Sequence, residues 1–383
     1  MTHKKLSLLI CFEKDSGGET IATKQVIAEL KKREDLRFNS QSLNPLKRTD
    51  SFGYFGWIFI SIIRWASIIA KTKTLDWVYT TTYTAGVAAA ILKPFRNFKI
   101  CFHYHGSRIP PKNTTAPLFR QATQRLKYQV TYWLHHLLLK AVDLIIVTSQ
   151  YSKNYLVRSL RIAKSKKIVV VSNGVNLGVF KSLSSKTRDI QRKRMGISKN
   201  SKVILVIGRL NPLKRAVLAI EALPLIVKSL PSIILLIAHP KLVTSEEKKY
   251  KNKLLKLAKD QGVEKNIVWR QDAKNTSDLY GVSDLTVLLS KLENLPLVML
   301  EAFATKTLFA STPAGAVESY LGDLDSRLLI KGTSPKKVSR KIIELLQLSK
   351  KQKVMIISSS YKVARDLSWE KTSEEILRCL SES

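Results

Sequence analysis

Short apolar runs rich in branched residues alternate along the chain with stretches whose apolar positions recur every three or four residues. Leu6 to Phe12 is followed by Ala22 to Lys32, Trp77 to Thr80 by Ala85 to Leu92, and Leu144 to Thr148 by Ser152 to Leu160, with further short runs at Ile100 to His103 and Ile168 to Val171. Such alternation predicts parallel strands joined by crossover helices. The rhythm restarts at Val203 to Ile207, ahead of a helix expected from about Leu213 to Leu230. It continues through Ile233 to Ala238, a lysine-rich helix between Lys241 and Lys259, and strands at Val268, Leu285 to Leu289 and Leu308 to Ser311. A restart means two α/β units. Lys181 to Asn200 is polar, charged and short of large apolar groups, as a linker would be, so the boundary is expected near Phe180 and the units at 1–180 and 181–365.

Two longer apolar stretches invite a membrane reading. In Phe52 to Ala70, Ser61, Arg64, Ser67 and the following Lys71 form one polar stripe at helical spacing, which favours a domain helix with an exposed aromatic flank near Trp57 and Trp65 over a spanning segment. Pro117 to Lys140 places Phe119, Ala122, Leu126, Val130, Trp133 and Leu137 on one face, with Arg120 and Lys127 on another, the pattern of an amphipathic helix with a basic side.

Composition narrows the partners. The chain of 383 residues carries 65 Lys and Arg against 29 Asp and Glu, a formal charge of +36. That field favours polyanions: nucleic acid, anionic lipid headgroups or a phosphorylated substrate. The three cysteines, Cys11, Cys101 and Cys379, show neither metal-ligand nor redox spacing and fit a reducing cytoplasm. The opening MTHKKLSLLICFEKD meets Glu13 and Asp15 directly after its apolar run, so it is expected to be a first buried strand and not a signal peptide.

In open parallel sheets ligands bind where strands end and helices begin, so those loops hold the candidate chemistry. In VILVIGRLNPLKRAVLAI, Gly208 closes a strand, Arg209 and Lys214 fall in the loop or first helical turn, and Pro212 suits a helix start. An anion there meets free backbone N–H groups, a guanidinium fork and an ammonium together, a fit for a diphosphate. In LLSKLENLPLVMLEAFA, Glu293 lies ahead of a helix expected to start at Pro296, and Glu301 lies about one and a half turns inside it. Two carboxylates at different depths can accept bonds from hydroxyls on two parts of one ligand.

GRLNPLKR from Gly208, the E-x7-E pair Glu293 and Glu301, and SNGVNLGVF from Ser172 together resemble the family 4 group of retaining glycosyltransferases with the GT-B fold. SGGE at Ser16 to Glu19 resembles that family's N-terminal glycine loop, AVDLIIVTSQYSKNYL the strand and helix before its linker, and LSWEKTSEEIL its closing helix. The resemblance implies an α/β architecture of two Rossmann-like domains facing each other across a donor-binding cleft, the closing helix at 366–383 packing back on the first. It implies that Arg209 and Lys214 hold a donor diphosphate, that Glu301 binds ribose hydroxyls, and that Glu293 contacts the sugar. Gly208 and the backbone of Asn294, Leu295 and Leu297 would complete the donor loops, the Gly17 and Gly18 loop would approach the phosphates, and His105 would stand near the reacting sugar. His103, on the same presumed strand, could exchange places with it. No cofactor or metal is implied; the partners would be a nucleotide diphosphate sugar and a glycan or lipid-linked acceptor. The net charge, the basic amphipathic helix and the aromatic flank near Trp57 and Trp65 add an anionic membrane surface, so the protein is expected on the cytoplasmic membrane face.

The chain also departs from that pattern. Arg215 and Lys306 stand where the family commonly has glycine, Pro296 replaces a glycine between the glutamates, and Ala238-His239-Pro240 replaces a G-x-G. Asp323-Leu324-Asp325 spells a metal-binding D-x-D but is expected in a solvated turn after Tyr320, away from the phosphate loops. Two rivals share the charge or the fold: a basic nucleic-acid binder, for which no zinc spacing, helix-turn-helix or RNA motif is found, and a GT-B relative acting as epimerase or inactive scaffold.

Overall fold

The structure, a computed structural model, describes residues 5–13, 17–43, 51–106, 118–159, 167–273 and 275–383, with the side chains of 51, 52, 54, 118–125, 128 and 159 outside the description. Ser16, Ser107, Arg108 and Pro117, and the side chains of Phe119, Arg120 and Ala122, therefore lie outside it. The chain forms two compact units, Met1–Ser172 with Trp369–Ser383, and Asn173–Ser368.

The first unit alternates β1 (Leu6–Glu13), α1 (Gly18–Leu30), β2 (Leu36–Leu43), α2 (Ser51–Lys71), β3 (Trp77–Thr80), α3 (Tyr83–Leu92), β4 (Lys99–Tyr104), α4 (Leu118–Ala141), β5 (Leu144–Val147), α5 (Gln150–Ser159) and β6 (Lys167–Val170). The second contains α6 (Ser185–Arg194), β7 (Lys202–Ile207), α7 (Ala216–Ser229), β8 (Ile233–His239), α8 (Ser245–Asp260), β9 (Ile267–Gln271), α9 (Thr276–Gly281), β10 (Leu285–Leu288), α10 (Leu297–Ala304), β11 (Leu308–Ser311), α11 (Val317–Leu324), α12 (Pro335–Leu346) and α13 (Lys350–Asp366). The last helix, α14 (Trp369–Ser381), belongs to the first unit and packs against α1. The sheets are parallel throughout, ordered β2-β1-β3-β4-β5-β6 and β11-β10-β7-β8-β9.

Strands covered on both faces read as unbroken apolar runs, and β3, β5, β10 and β11 are buried at every position. Among the described residues the edge strand β2, LRFNSQSL, pairs only with β1, and it keeps much of its surface in water. Its polar alternation gives no strand signal, so its place comes from the partner ladder.

Lys181 to Asn200 is no linker. Ser184 accepts from Thr187 N at 3.2 Å and caps α6. Arg192 is buried and donates to the carbonyls of Val282, Lys199 and Ser201 and to the Asp284 carboxylate at 3.0 Å. Asp284 also receives Arg188 and, at 2.8 Å, the amide of Val203. A buried guanidinium satisfied by carbonyls fastens α6 to the sheet without apolar side chains. Loss of one partner leaves the other charged and poorly solvated, so Asp284→Ala is expected to cost about 3–5 kcal/mol, read as a lower urea midpoint. The unit boundary correspondingly falls at Ser172 and Asn173, ahead of the expected Phe180, because Leu177, Phe180 and Leu183 pack on the second core.

The aromatic flank expected at Trp57 and Trp65 of α2 is not exposed. Trp57 and Trp65 are core residues and Ser61 is buried, whereas Phe59, Ile60 and Ile63 of α2 are exposed. Among the described side chains of α4, Thr131, His135, Leu138 and Leu139 are buried, while on the predicted apolar face Leu126, Trp133 and Leu137 are exposed and Val130 is half-buried. No helix among the described residues is long and apolar enough to cross a membrane.

Candidate functional site

In the second unit the predicted residues gather at the carboxyl ends of β7 and β10. Gly208 leaves β7 at φ 149°, a conformation that L side chains avoid, while its amide donates to Ala238 O at 3.0 Å and keeps the turn on β8. The next helix starts later than expected. Pro212 lies in a turn, and α7 begins only at Ala216, so Arg209 and Lys214 both sit in the loop, Arg209 exposed and Lys214 half-buried. The Lys214 amide donates to Asn211 Oδ1 at 3.0 Å, and Leu213 O accepts from Lys291 N at 2.8 Å, tying this loop to the one after β10.

Across that seam Lys214 Nζ meets Glu293 Oε1 at 2.5 Å, with the Glu293 side chain only 11% exposed. The cation expected on a diphosphate and the carboxylate expected on a sugar are therefore direct partners. Pro296 precedes α10 with φ −72° and ψ 130°, outside the helix, so the free amides of the first turn begin at Leu297. Leu295 is buried, and its carbonyl accepts from Asn173 Nδ2 at 3.0 Å. Asn294 O accepts from Ala316 N at 3.2 Å, while its buried Nδ2 has no partner among the described residues.

Glu301, inside α10, receives a short hydrogen bond from the Tyr280 hydroxyl of α9. Burial raises its carboxyl pKa to about 7, and the Tyr280 bond only partly opposes the rise. Glu301 thus stands poised near neutrality, a property of its surroundings that the residue spacing does not carry.

The departures from the family pattern have physical explanations. Arg215 and Lys306 both adopt left-handed backbone, φ 51° and 58°, the conformation glycine takes freely. Each is held by its own side chain: Arg215 by the carbonyls of Leu289 and Ser290 at 2.6 and 2.8 Å, Lys306 by its ammonium over the Tyr361 ring at 4.5 Å. His239, at the G-x-G position, donates from Nδ1 to Pro240 O at 2.8 Å and accepts at Nε2 from Lys251 Nζ at 2.9 Å, with Lys251 over Trp269 at 4.2 Å. That arrangement fixes its neutral tautomer, and burial lowers its pKa.

The D-x-D pair is not in a turn after Tyr320. Asp323 falls in the last turn of α11, and Asp325 caps the following 3-10 turn and binds Arg327 at 2.6 Å. Among the described residues no group of three or more His, Cys, Asp or Glu side chains is placed to hold a metal.

In the first unit Gly17 caps the N-terminus of α1, and Gly18 faces open space, so bulk alone does not demand glycine there. His103 is buried inside β4, its Nδ1 bonded to the Tyr79 hydroxyl and its pKa driven well below the usual range by desolvation and by His105. His105 follows the end of β4, its ring 4.0 Å from that of His103, and lines a small pocket with Glu19, Thr82, Tyr83 and His135. Of the two histidines, His105 has the accessible position. Tyr280 and Asn173 were not singled out from sequence, because each is defined by a partner more than twenty residues away; Arg215 was noted only as a departure from glycine, and its carbonyl partners at Leu289 and Ser290 come from the fold.

Paired parallel α/β units with charged loops at the strand ends define a GT-B fold. Solved GT-B structures share it at low identity: a glycosyltransferase of Rickettsia africae (TM-score 0.76, 18% identity, 99% of both chains) and Thermosynechococcus elongatus sucrose-phosphate synthase (TM-score 0.80, 15% identity, 98% of both). Residues 187–361 match the model "Glycosyl transferases group 1", and residues 31–179 match "Glycosyltransferase Family 4". The chain belongs to the family 4, group 1 glycosyltransferases. Curated relatives include an Escherichia coli UDP-Gal:alpha-D-GlcNAc-diphosphoundecaprenol alpha-1,3-galactosyltransferase, 28% identical over 62% of this chain and 57% of that protein, and a Thermomonospora curvata D-inositol 3-phosphate glycosyltransferase, 24% identical over 56% and 51%. The matches span about half the length of these relatives.

Proposed function

We propose that the protein transfers a sugar, with retention of anomeric configuration and without a metal, from a UDP-sugar to a lipid-linked or cell-envelope glycan. The observation that carries this reading is Lys214 beside Glu293 next to the Gly208 turn, with Arg209 exposed on the same loop. As the bond to the leaving diphosphate breaks, negative charge grows on phosphate oxygens and positive charge on the anomeric carbon, and cations already in place lower that barrier. Lys214 would turn from Glu293 toward the phosphate, leaving Glu293 free to accept sugar hydroxyls, while Glu301 takes the ribose. The UDP assignment is supported by the donor named for the E. coli relative and by an Anabaena neighbour of 17% identity and TM-score 0.74 solved with UDP and glucose. UDP should raise the thermal midpoint where ADP and GDP do not, by about 2.7 kcal/mol of apparent stability at a hundredfold excess over Kd. Transfer should survive a strong chelator. A nucleic-acid binder would instead show salt-dependent duplex binding and no shift with UDP.

The exposed side chains favour action at a membrane. Trp133 is 68% exposed and Phe59 66%, and Leu126, Leu137, Ile60 and Ile63 join them on the open faces of α2 and α4. Both helices pack on α3, and neither contains an acidic residue, while Arg64, Lys71, Lys127 and Lys140 supply positive charge. Apolar anchors ringed by cations suit the cytoplasmic face of an anionic bilayer, where one signal alone binds weakly and two bind stably. Trp133→Ser with Leu137→Ser is expected to weaken sedimentation with phosphatidylglycerol vesicles at least tenfold, with the thermal midpoint unchanged because neither side chain is in the core. Unchanged sedimentation would leave a soluble acceptor.

A further inference from the structure

We propose that Arg215 is a positioning residue that sets the Lys214 ammonium for the departing diphosphate, replacing glycine's backbone freedom with a guanidinium clamp; the inference rests on the donor-site reading above. Arg215 occupies left-handed backbone, φ 51° and ψ 39°, which costs a non-glycine residue about 1–2 kcal/mol. Its side chain offsets that cost locally. Nε donates to Leu289 O at 2.6 Å, and Nη2 to Ser290 O at 2.8 Å and Thr312 Oγ1 at 3.4 Å. Thr312 Oγ1 in turn donates to Ser290 O at 2.8 Å, so the end of β10, the end of β11 and the Arg215 fork form one connected set.

On the other side of Lys214, Leu213 O accepts from Lys291 N. Lys214 is thus the single residue between two attachments to the segment that leads to Glu293. A flexible four-carbon side chain reaches one place reliably only when its backbone is fixed, and both attachments fix it against the loop carrying its carboxylate partner. Arg215 need not touch the donor to matter.

The test is kinetic. Arg215→Gly keeps the left-handed backbone and removes the clamp, so it should fold with a near-native thermal midpoint. Its kcat for UDP-glucose turnover, followed as UDP release, should fall at least tenfold while Kd for UDP rises less than threefold. Millimolar ethylguanidinium should restore part of that loss, and Thr312→Val, which removes one member of the set without changing volume, should reduce kcat in the same sense. In a Lys214→Ala background, Arg215→Gly should cause no further fall, since it acts through Lys214. Arg215→Gly or Thr312→Val with wild-type kcat, or full additivity of Arg215→Gly with Lys214→Ala, would overturn the clamp alone. Lys214→Ala as active as the wild type would overturn the donor-site reading and the clamp together.

Discussion

Replacing Lys214 by alanine is expected to lower kcat about a hundredfold to a thousandfold, the loss seen when a preorganised charge or donor is removed from a developing oxyanion. The size follows from where the cation sits. Lys214 lies at the end of β7 on a loop tied to two others, so little reorganisation is needed when a diphosphate replaces Glu293 as its partner. The substitution also leaves the largely buried Glu293 carboxylate unpaired, and part of its effect should therefore appear as lower stability. Measuring the thermal midpoint of Lys214→Ala alongside Lys214→Ala with Glu293→Gln separates the two: the second change should restore stability without restoring turnover. Recovery of turnover in the double variant would show that Lys214 serves the fold and not the leaving group.

UDP affinity should depend on pH through Glu301. Its folded pKa of about 7 stands above the ordinary carboxyl value of 4.5 because burial disfavours the charged carboxylate. If the ionised form accepts the two ribose hydroxyls, UDP should bind about tenfold more weakly at pH 6 than at pH 8. Glu301→Gln should be weaker at pH 8 and flat across the range. Stability should run the other way. A carboxyl whose folded pKa is raised contributes stability fully below its unfolded value, and that contribution is lost as pH rises from about 4.5 through about 7. Glu301→Gln should therefore exceed the wild type by about 3 kcal/mol at pH 8, with the advantage disappearing near pH 4. UDP affinity unchanged between pH 6 and 8 in the wild type would remove Glu301 from the ribose.

Much of the second unit was legible before any coordinates. Strands such as Val203 to Ile207 and Leu285 to Leu289 announce themselves because burial on both faces leaves them apolar but for Thr286, and loops after such strands are where free amides and charges converge. α6 was not legible. Its anchor is a guanidinium bonded to carbonyls of Val282, Lys199 and Ser201, so its sequence looks like solvated linker. β2 escaped for a related reason: an edge strand with wet faces has no composition to betray it.

What the sequence determined by itself was therefore the alternation that makes two parallel-sheet units and the residue types at their strand ends, because both depend on local periodicity and on chemistry carried by single side chains. The tertiary structure alone decided which helix faces are wet, turning Trp133 outward and Trp65 inward from similar patterns. It also decided that Lys214 meets Glu293, that Tyr280 meets Glu301, and that Arg215 and Lys306 occupy glycine's backbone region. Helical spacing states that residues share a face but not what lies opposite it, and a buried carboxylate's proton affinity is set by neighbours that only folding brings within reach.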